Sequence, residues 1–268
     1  MKAVSLFLFC VIFISCKEAP KSNTIIEAES KEMVEKRESK YPEALQKVFD
    51  AHGGLANWKN KQSLIYDMPK SSNKETHTTN LYSRKDRIDT PDFSMGFDGE
   101  HVWLLDENET YKGDAVFYHN LMFYFYAMPF IIADDGIIYS DTSDLVFEDK
   151  SYPGIRISYN ADVGTSPKDE YFVHYDPETY EMAWLGYTVT YRTGEVSENV
   201  KWIRYNDWMQ VSNVMLPKSI TWHAYDDRDI KEAKSTVSFE NVVLKETAIS
   251  EDFFTRPAMA KIVKVKGQ

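Results

Sequence analysis

The chain has 268 residues, with 31 Lys plus Arg against 42 Asp plus Glu and a formal charge of −11. That length can bury a sizeable core in one large β-rich domain or two small ones, and 43% hydrophobic residues exclude global disorder. The acidic balance argues against nucleic acid as a partner, since displacing counterions from phosphates needs a concentrated Lys/Arg face. An aromatic share of 14% suits a β-sheet surface or an apolar groove.

Residues 1–15 have the build of a secretory signal: Lys2 supplies the positive start, and residues 3–14 form an apolar run too short to span a membrane. At its end Phe13-Ile14-Ser15-Cys16 resembles the lipobox of bacterial lipoproteins, in which the cysteine becomes the acylated N-terminus. Phe13 replaces the usual Leu. Cys10 is the only other cysteine and lies within the signal, so the mature chain keeps one thiol, with no disulfide or zinc cluster in the monomer. Loss of Lys2 leaves 30 basic and 42 acidic residues, a charge of −12. The expected partner at this end is a membrane, reached through the lipid anchor without a span. Residues 16–40, rich in Lys, Glu, Ser and Asn, read as the lipidated cysteine and a solvated tether. Lys17-Glu18 is similar to the charged export tags of Bacteroidota surface lipoproteins.

From residue 41 to 268 the sequence predicts a single folded domain. Pro42 suits a first helical position, Leu45, Val48 and Phe49 share a face, and Gly53-Gly54 ends the helix. After Gln62 the period becomes two: Leu64/Tyr66/Met68, Ile155/Ile157/Tyr159, Tyr171/Val173/Tyr175 and Val200/Trp202 alternate with residues of different character. Further strands are expected at 76–83, 101–105, 182–191, 220–225 and 236–242, with turns at Asp98-Gly99, Asp176-Pro177, Thr193-Gly194 and Asp226-Asp227. Short turns between many strands predict a mainly β (α+β) fold, an antiparallel meander forming one curved sheet.

Residues 115–133 break the pattern, with sixteen of nineteen apolar or aromatic. His119, Asn120, Pro129 and three tyrosines count against a membrane span. The segment predicts instead one apolar helix of about four turns ending near Pro129, with Phe117, Leu121, Tyr124, Phe125 and Met128 on one face. A helix apolar on nearly all sides must be buried on nearly all sides, which places it inside or over the curved sheet.

Ala51-His52-Gly53-Gly54, Trp58, Ser63-Leu64-Ile65-Tyr66, the 120–130 block, Asp134-Asp135-Gly136 and Tyr175-Asp176-Pro177-Glu178-Thr179-Tyr180 together resemble an uncharacterised lipoprotein family of Bacteroidota, over roughly residues 41–257. That family is similar to periplasmic carriers of the LolA/LolB type. The resemblance implies a half barrel of antiparallel strands closed by helices over an apolar cavity that takes acyl chains. It implies no catalytic residues, and function carries over only by analogy of fold. The chain is longer than the carriers and has its own aromatic block.

Enzymatic motifs are absent: there is no Gly-x-Ser-x-Gly, His-Glu-x-x-His, Gly-x-Gly-x-x-Gly or Walker loop. Six histidines are scattered singly, so no metal or other cofactor is expected. His52 is expected as a cation at a helix C-terminus, and Asp226-Asp227-Arg228-Asp229 as a solvated hairpin tip. The favoured reading is a lipid-anchored envelope protein, at the outer rather than the inner membrane, binding an apolar small molecule or acyl chain. Cys16 carries the lipid, Phe117, Leu121, Tyr124, Phe125 and Met128 face the ligand, and Trp103, Trp184 and Trp202 form the opposing wall. Two alternatives stand beside it: an envelope or glycan hydrolase using carboxylates brought together by folding, and a non-enzymatic scaffold whose barrel is filled by its own helix. Oligomeric state stays open.

Overall fold

The structure, a computed structural model, describes residues 39–71, 73–160 and 168–264. The expected signal peptide, Cys16 and nearly all of the expected tether lie outside the described residues. The chain divides into units Met1–Lys40 and Tyr41–Gln268, and the second is described here.

Helix α1 (Glu43–Ala51) buries Leu45, Val48 and Phe49, the face expected from their spacing. Pro42 sits one position earlier than expected, as the N-cap. Beyond the helix Gly53 and Gly54 both take positive φ, and the Gly54 amide donates to the Phe49 carbonyl at 2.8 Å, closing the last turn. Helix α2 (Leu55–Lys59) follows and buries Trp58, whose ring stacks on Phe130 at 4.9 Å.

The strands form two antiparallel sheets, which corrects the expectation of a single curved one. The first sheet contains β1 (Ser63–Pro69), β2 (Lys74–Asn80), β3 (Asp86–Asp89), β4 (Ser94–Phe97) and β5 (Val102–Leu105). It is flanked by β13 (Glu240–Lys245) beside β1 and β14 (Lys261–Ile262) beside β5. The second runs in simple meander order through β6 (Ile137–Phe147), β7 (Lys150–Tyr159), β8 (Tyr171–Tyr175), β9 (Met182–Tyr187), β10 (Lys201–Val211), β11 (Val214–Asp226) and β12 (Asp229–Ser238). Among the described residues each sheet is open, with no strand pair closing it into a barrel. The expected strand at 236–242 is broken by buried Phe239, where the chain leaves the second sheet for the first. Asp227 and Arg228 form the two-residue tip between β11 and β12, as expected for that acidic run.

The return from the first sheet to the second is made by residues 106–136. The single long helix does not form. The segment folds as α3 (Ala115–Tyr118), α4 (Leu121–Tyr126) and a 3-10 turn (Phe130–Ala133). It breaks because Asn120 adopts φ −117° and ψ −1° at the start of α4, and Pro129, with no amide hydrogen, precedes the 3-10 turn. Met122, Phe123, Tyr126, Phe130 and Ile132 join one core with Phe49, Leu64, Tyr66, Ile157, Val173, Leu185, Ile203 and Leu216, so the block fills much of the space between the sheets. Among the described residues, no helix is long and apolar enough to cross a membrane.

Candidate ligand cleft

Local chemistry fixes the block in place. The Asp114 carboxylate caps α3 by accepting from the amides of Val116 and Phe117 at 3.1 and 3.2 Å. Tyr118 at the end of α3 donates its hydroxyl to Glu75 of β2 at 2.7 Å, while Lys70 pairs with the other oxygen of Glu75. His119 Nδ1 lies 2.7 Å from Asp86 of β3. Farther along, the Tyr205 and Tyr139 hydroxyls donate to the carbonyls of Phe125 and Ile132 at 2.8 and 2.7 Å. Arg84 binds both oxygens of Asp134 at 2.7 Å, and its guanidinium lies 5.2 Å from the Phe123 ring. Both sheets therefore grip the block through buried polar contacts, and its rings are held rather than free.

So held, the block leaves a half-open cleft of about 290 Å³. One wall is its own: Val116, Phe117, Asn120, Leu121, Tyr124 and Phe125. Opposite stand Ile137, Tyr159, Tyr171 and Tyr191, with Ile131, Asp134, Asp135 and Asp169 completing the lining. The rings touch across it, Phe117 lying 5.0 Å from Tyr191. Below, Phe125 is 5.0 Å from Tyr187 and edge-on to Trp222 at 5.7 Å, with the Trp222 indole N–H bonded to the Tyr187 hydroxyl at 2.9 Å. Burial pushes the hydroxyls of Tyr124, Tyr159 and Tyr171 above their ordinary range, so these rings stay neutral. Burial also raises the carboxyls of Asp134 and Asp169. Arg84 opposes this at Asp134, and at Asp169 Thr190 opposes it, through its side chain first and then through its amide, bound at 2.6 Å.

Of the residues expected to face a ligand, Phe117, Leu121, Tyr124 and Phe125 line the cleft, and Met128 does not, being 1% exposed in the core behind it. The three tryptophans are not the opposing wall. Trp184 and Trp202 pack on the opposite face of the second sheet with Leu145, Tyr152, Ala183 and Ile230. There Arg228 bonds from the β11–β12 tip to the Ser143 carbonyl of β6 at 2.8 Å, drawing the sheet's two edge strands together. Trp103 lies against Gly96, with the Arg87 guanidinium between its ring and that of Phe253. The reason is strand parity: Trp184 adjoins inward Leu185, and Trp202 adjoins inward Ile203, so each tryptophan faces the other way. Tyrosines take the wall instead. Tyr159 and Tyr171 share the alternation phase of core residues Ile157 and Val173, a signal already present in the sequence.

His52 also differs from expectation. It is fully buried, and its Nδ1–H donates to the Val48 carbonyl at 2.7 Å. Burial brings its pKa down to about 4, so it is neutral rather than a cation on the helix dipole. Buried acids and histidines do meet, as Glu75 with His77 at 3.2 Å and Asp86 with His119 at 2.7 Å. None of these four lines the cleft, so they anchor α3 rather than present an acid and a base to a ligand. Among the described residues no group of His, Cys, Asp and Glu is placed to hold a metal.

A family profile described as a family of unknown function, DUF6503, matches residues 2–240, and the chain belongs to that family. No curated protein matches it. Among solved structures it is similar to a LolA superfamily protein from Nitrosomonas europaea, at 8% identity and TM-score 0.45, covering 75% of this chain and 96% of that one. It is also similar to a DUF1329 family protein from Desulfovibrio piger, at 7% identity and TM-score 0.49, covering 81% and 100%. A domain classed with outer membrane lipoprotein-sorting proteins, from Vibrio parahaemolyticus, matches at 10% identity and TM-score 0.45, covering 79% and 94%.

Proposed function

We propose that this member of DUF6503 is an envelope lipoprotein, anchored through an acylated Cys16, that binds a small apolar ligand in the cleft beside α4. The observation that carries this reading is the cleft itself, about 290 Å³ bounded by Leu121, Phe125, Ile131 and Ile137 and by tyrosine rings. Ligand sites run from about 300 to 1,000 Å³. At ~30 Å³ per water-sized group this one holds on the order of ten non-hydrogen groups. It takes one chain end or a compact molecule, and carriage of a whole lipoprotein with all its acyl chains exceeds its size. The Ser15-Cys16 boundary followed by Lys17-Glu18 supports a place on the outer membrane of a Bacteroidota cell.

Each methylene added to an alkyl ligand contributes about 0.8 kcal/mol, close to fourfold in affinity, until the cleft is full. A titration series of alkyl alcohols therefore steepens and then plateaus with chain length. Leu121→Trp, placed on a half-buried wall position, fills the space and lowers the plateau affinity at least tenfold while the melting temperature moves by a few degrees at most. A second reading, a scaffold filled by its own chain, draws on Phe123, Tyr126, Phe130 and Ile132 occupying the space between the sheets. It takes over if no alkyl ligand binds and Leu121→Trp changes nothing.

The anchor has its own test. Mass spectrometry of the N-terminus of envelope-purified protein is expected to show Cys16 first and acylated, and Cys16→Ser is expected to leave the membrane fraction in high salt. An unmodified Cys16 removes the anchor from the proposal.

A further inference from the structure

We infer that the cleft selects a ligand with a cationic ammonium head on a short apolar body and discriminates against free carboxylates. This deepens the ligand-binding reading above and rests on it. Three carboxylates, Asp134, Asp135 and Asp169, and the Asn120 amide stand around a cleft whose other walls are aliphatic and aromatic, and among the described residues no Lys, Arg or His lines it. Two of the bases nearby are engaged: Arg84 clamps Asp134 from behind, and Lys168, next to Asp169, bonds the Gly194 carbonyl at 2.6 Å. Asp169 accepts from the Thr190 amide and pairs with no base among the described residues, so its partly desolvated negative charge has no counter-charge among them. A bound cation would supply it.

The aromatic walls favour the same head group. Phe117, Tyr124, Tyr159, Tyr171 and Tyr191 surround the space, and neutral rings attract a cation through their negative faces, most strongly where water is excluded. A fatty-acid carboxylate would meet the like charge of Asp169 and, among the described lining residues, no donor stronger than an amide or phenol. Leu121, Phe125, Ile131 and Ile137 provide for a short alkyl body, so charge and apolar surface lie within one small volume.

Calorimetric titration of the full mature chain with four octyl probes separates the possibilities. Octyltrimethylammonium is expected to bind at least tenfold more tightly than 1-octanol and octanoate more weakly than either. Raising the salt to half-molar should draw both charged probes toward the alcohol, eroding the ammonium's advantage and the octanoate's deficit. Asp169→Asn, which keeps an acceptor for the Thr190 amide, should bring the ratio of ammonium to alcohol affinity close to one. If 1-octanol or octanoate binds as tightly as the ammonium, or octyl glucoside binds more tightly, the inference is overturned while the ligand cleft stands. If none of the four binds, the cleft reading has failed and the inference goes with it.

Discussion

Lowering the pH from about 7 to about 5 is expected to remove on the order of 4 kcal/mol of folding stability, about 2 kcal/mol from each of two buried histidines. His52 and His174 are both fully buried, and burial holds each at about 4, against an ordinary value of 6.5. In each ring Nδ1–H donates to a carbonyl, of Val48 at 2.7 Å and Tyr152 at 3.0 Å, so the proton taken up in acid must go to Nε2. Neither Nε2 has a hydrogen-bond partner among the described residues; His52 meets the Trp208 ring edge-on at 4.4 Å, and His174 lies 5.7 Å from the Trp202 ring. The folded state therefore stays unprotonated while the unfolded chain takes up protons near pH 6.5, and stability present above that pH is lost as pH falls toward 4. Asp86, Asp134 and Asp169 act the other way, since burial raises them and protonation relieves that cost, but only nearer their own range. Glu75, held at about 2 by its bonds from His77, Lys70 and Tyr118 against the pull of burial, adds a further loss only below about pH 4.5. Urea unfolding at the two pH values measures the difference. His174→Gln should lower stability at pH 7 yet roughly halve the drop to pH 5, and an undiminished drop in that variant would place the acid sensitivity elsewhere.

How far the sequence reaches depends on what writes a pattern into it. Strands whose two faces differ announce themselves, as in Leu64/Tyr66/Met68, and α1 is bracketed by Pro42 and Gly53-Gly54. The division into two sheets is not written there, because period two says that a residue is on a strand without saying which neighbour pairs with it. Thr236 and Val242 look like one strand although buried Phe239 parts them. The same loss of contrast explains the tryptophans: the second sheet buries both faces around β9 and β10, so Trp184 beside Leu185 and Trp202 beside Ile203 show no alternation from which to read a facing. In residues 115–133 hydrophobicity on all sides erased the helical period, and Asn120 and Pro129 were the only marks of the breaks. The helix side of the cleft was legible in part, because Phe117, Leu121, Tyr124 and Phe125 stand three, four or one residue apart on either side of the break at Asn120. Its acidic side was not, since Asp134 and Asp169 come together only when β6 and β8 are placed in one sheet.

Gly53→Ala is expected to cost about 2–5 kcal/mol, with strain of about 1–2 kcal/mol and overpacking of about 1–3 kcal/mol both contributing. Gly53 has φ +95°, and a Cβ there would lie 2.2 Å from the Asn213 carbonyl oxygen and 3.0 Å from Val214 Cα. Both obstacles are backbone, in the tight turn joining β10 to β11, and that turn is itself tied down. The Met215 amide donates to the His52 carbonyl at 2.9 Å, and the Ser212 hydroxyl donates to the Leu244 carbonyl at 2.9 Å. The turn cannot retreat without breaking those bonds, so the added methyl must separate α1 from the hairpin. Gly54 is a control one residue away: its φ is +90°, yet a Cβ there would meet nothing within 4 Å. Gly54→Ala should therefore lose only the strain of φ +90° with ψ 137°, about 1–3 kcal/mol, and a larger loss at Gly53 reports the close approach. In thermal unfolding the Gly53 variant should melt roughly 10 °C below the parent; equal losses at the two positions would show that the contact with Asn213 carries no weight. The consequence reaches the cleft, because Phe49 of α1 stacks on Phe130 at 6.3 Å, and Phe130 belongs to the block that carries Leu121 and Phe125. A Gly53→Ala protein that remains folded should thus bind alkyl ligands more weakly than Gly54→Ala, although neither glycine lines the cleft.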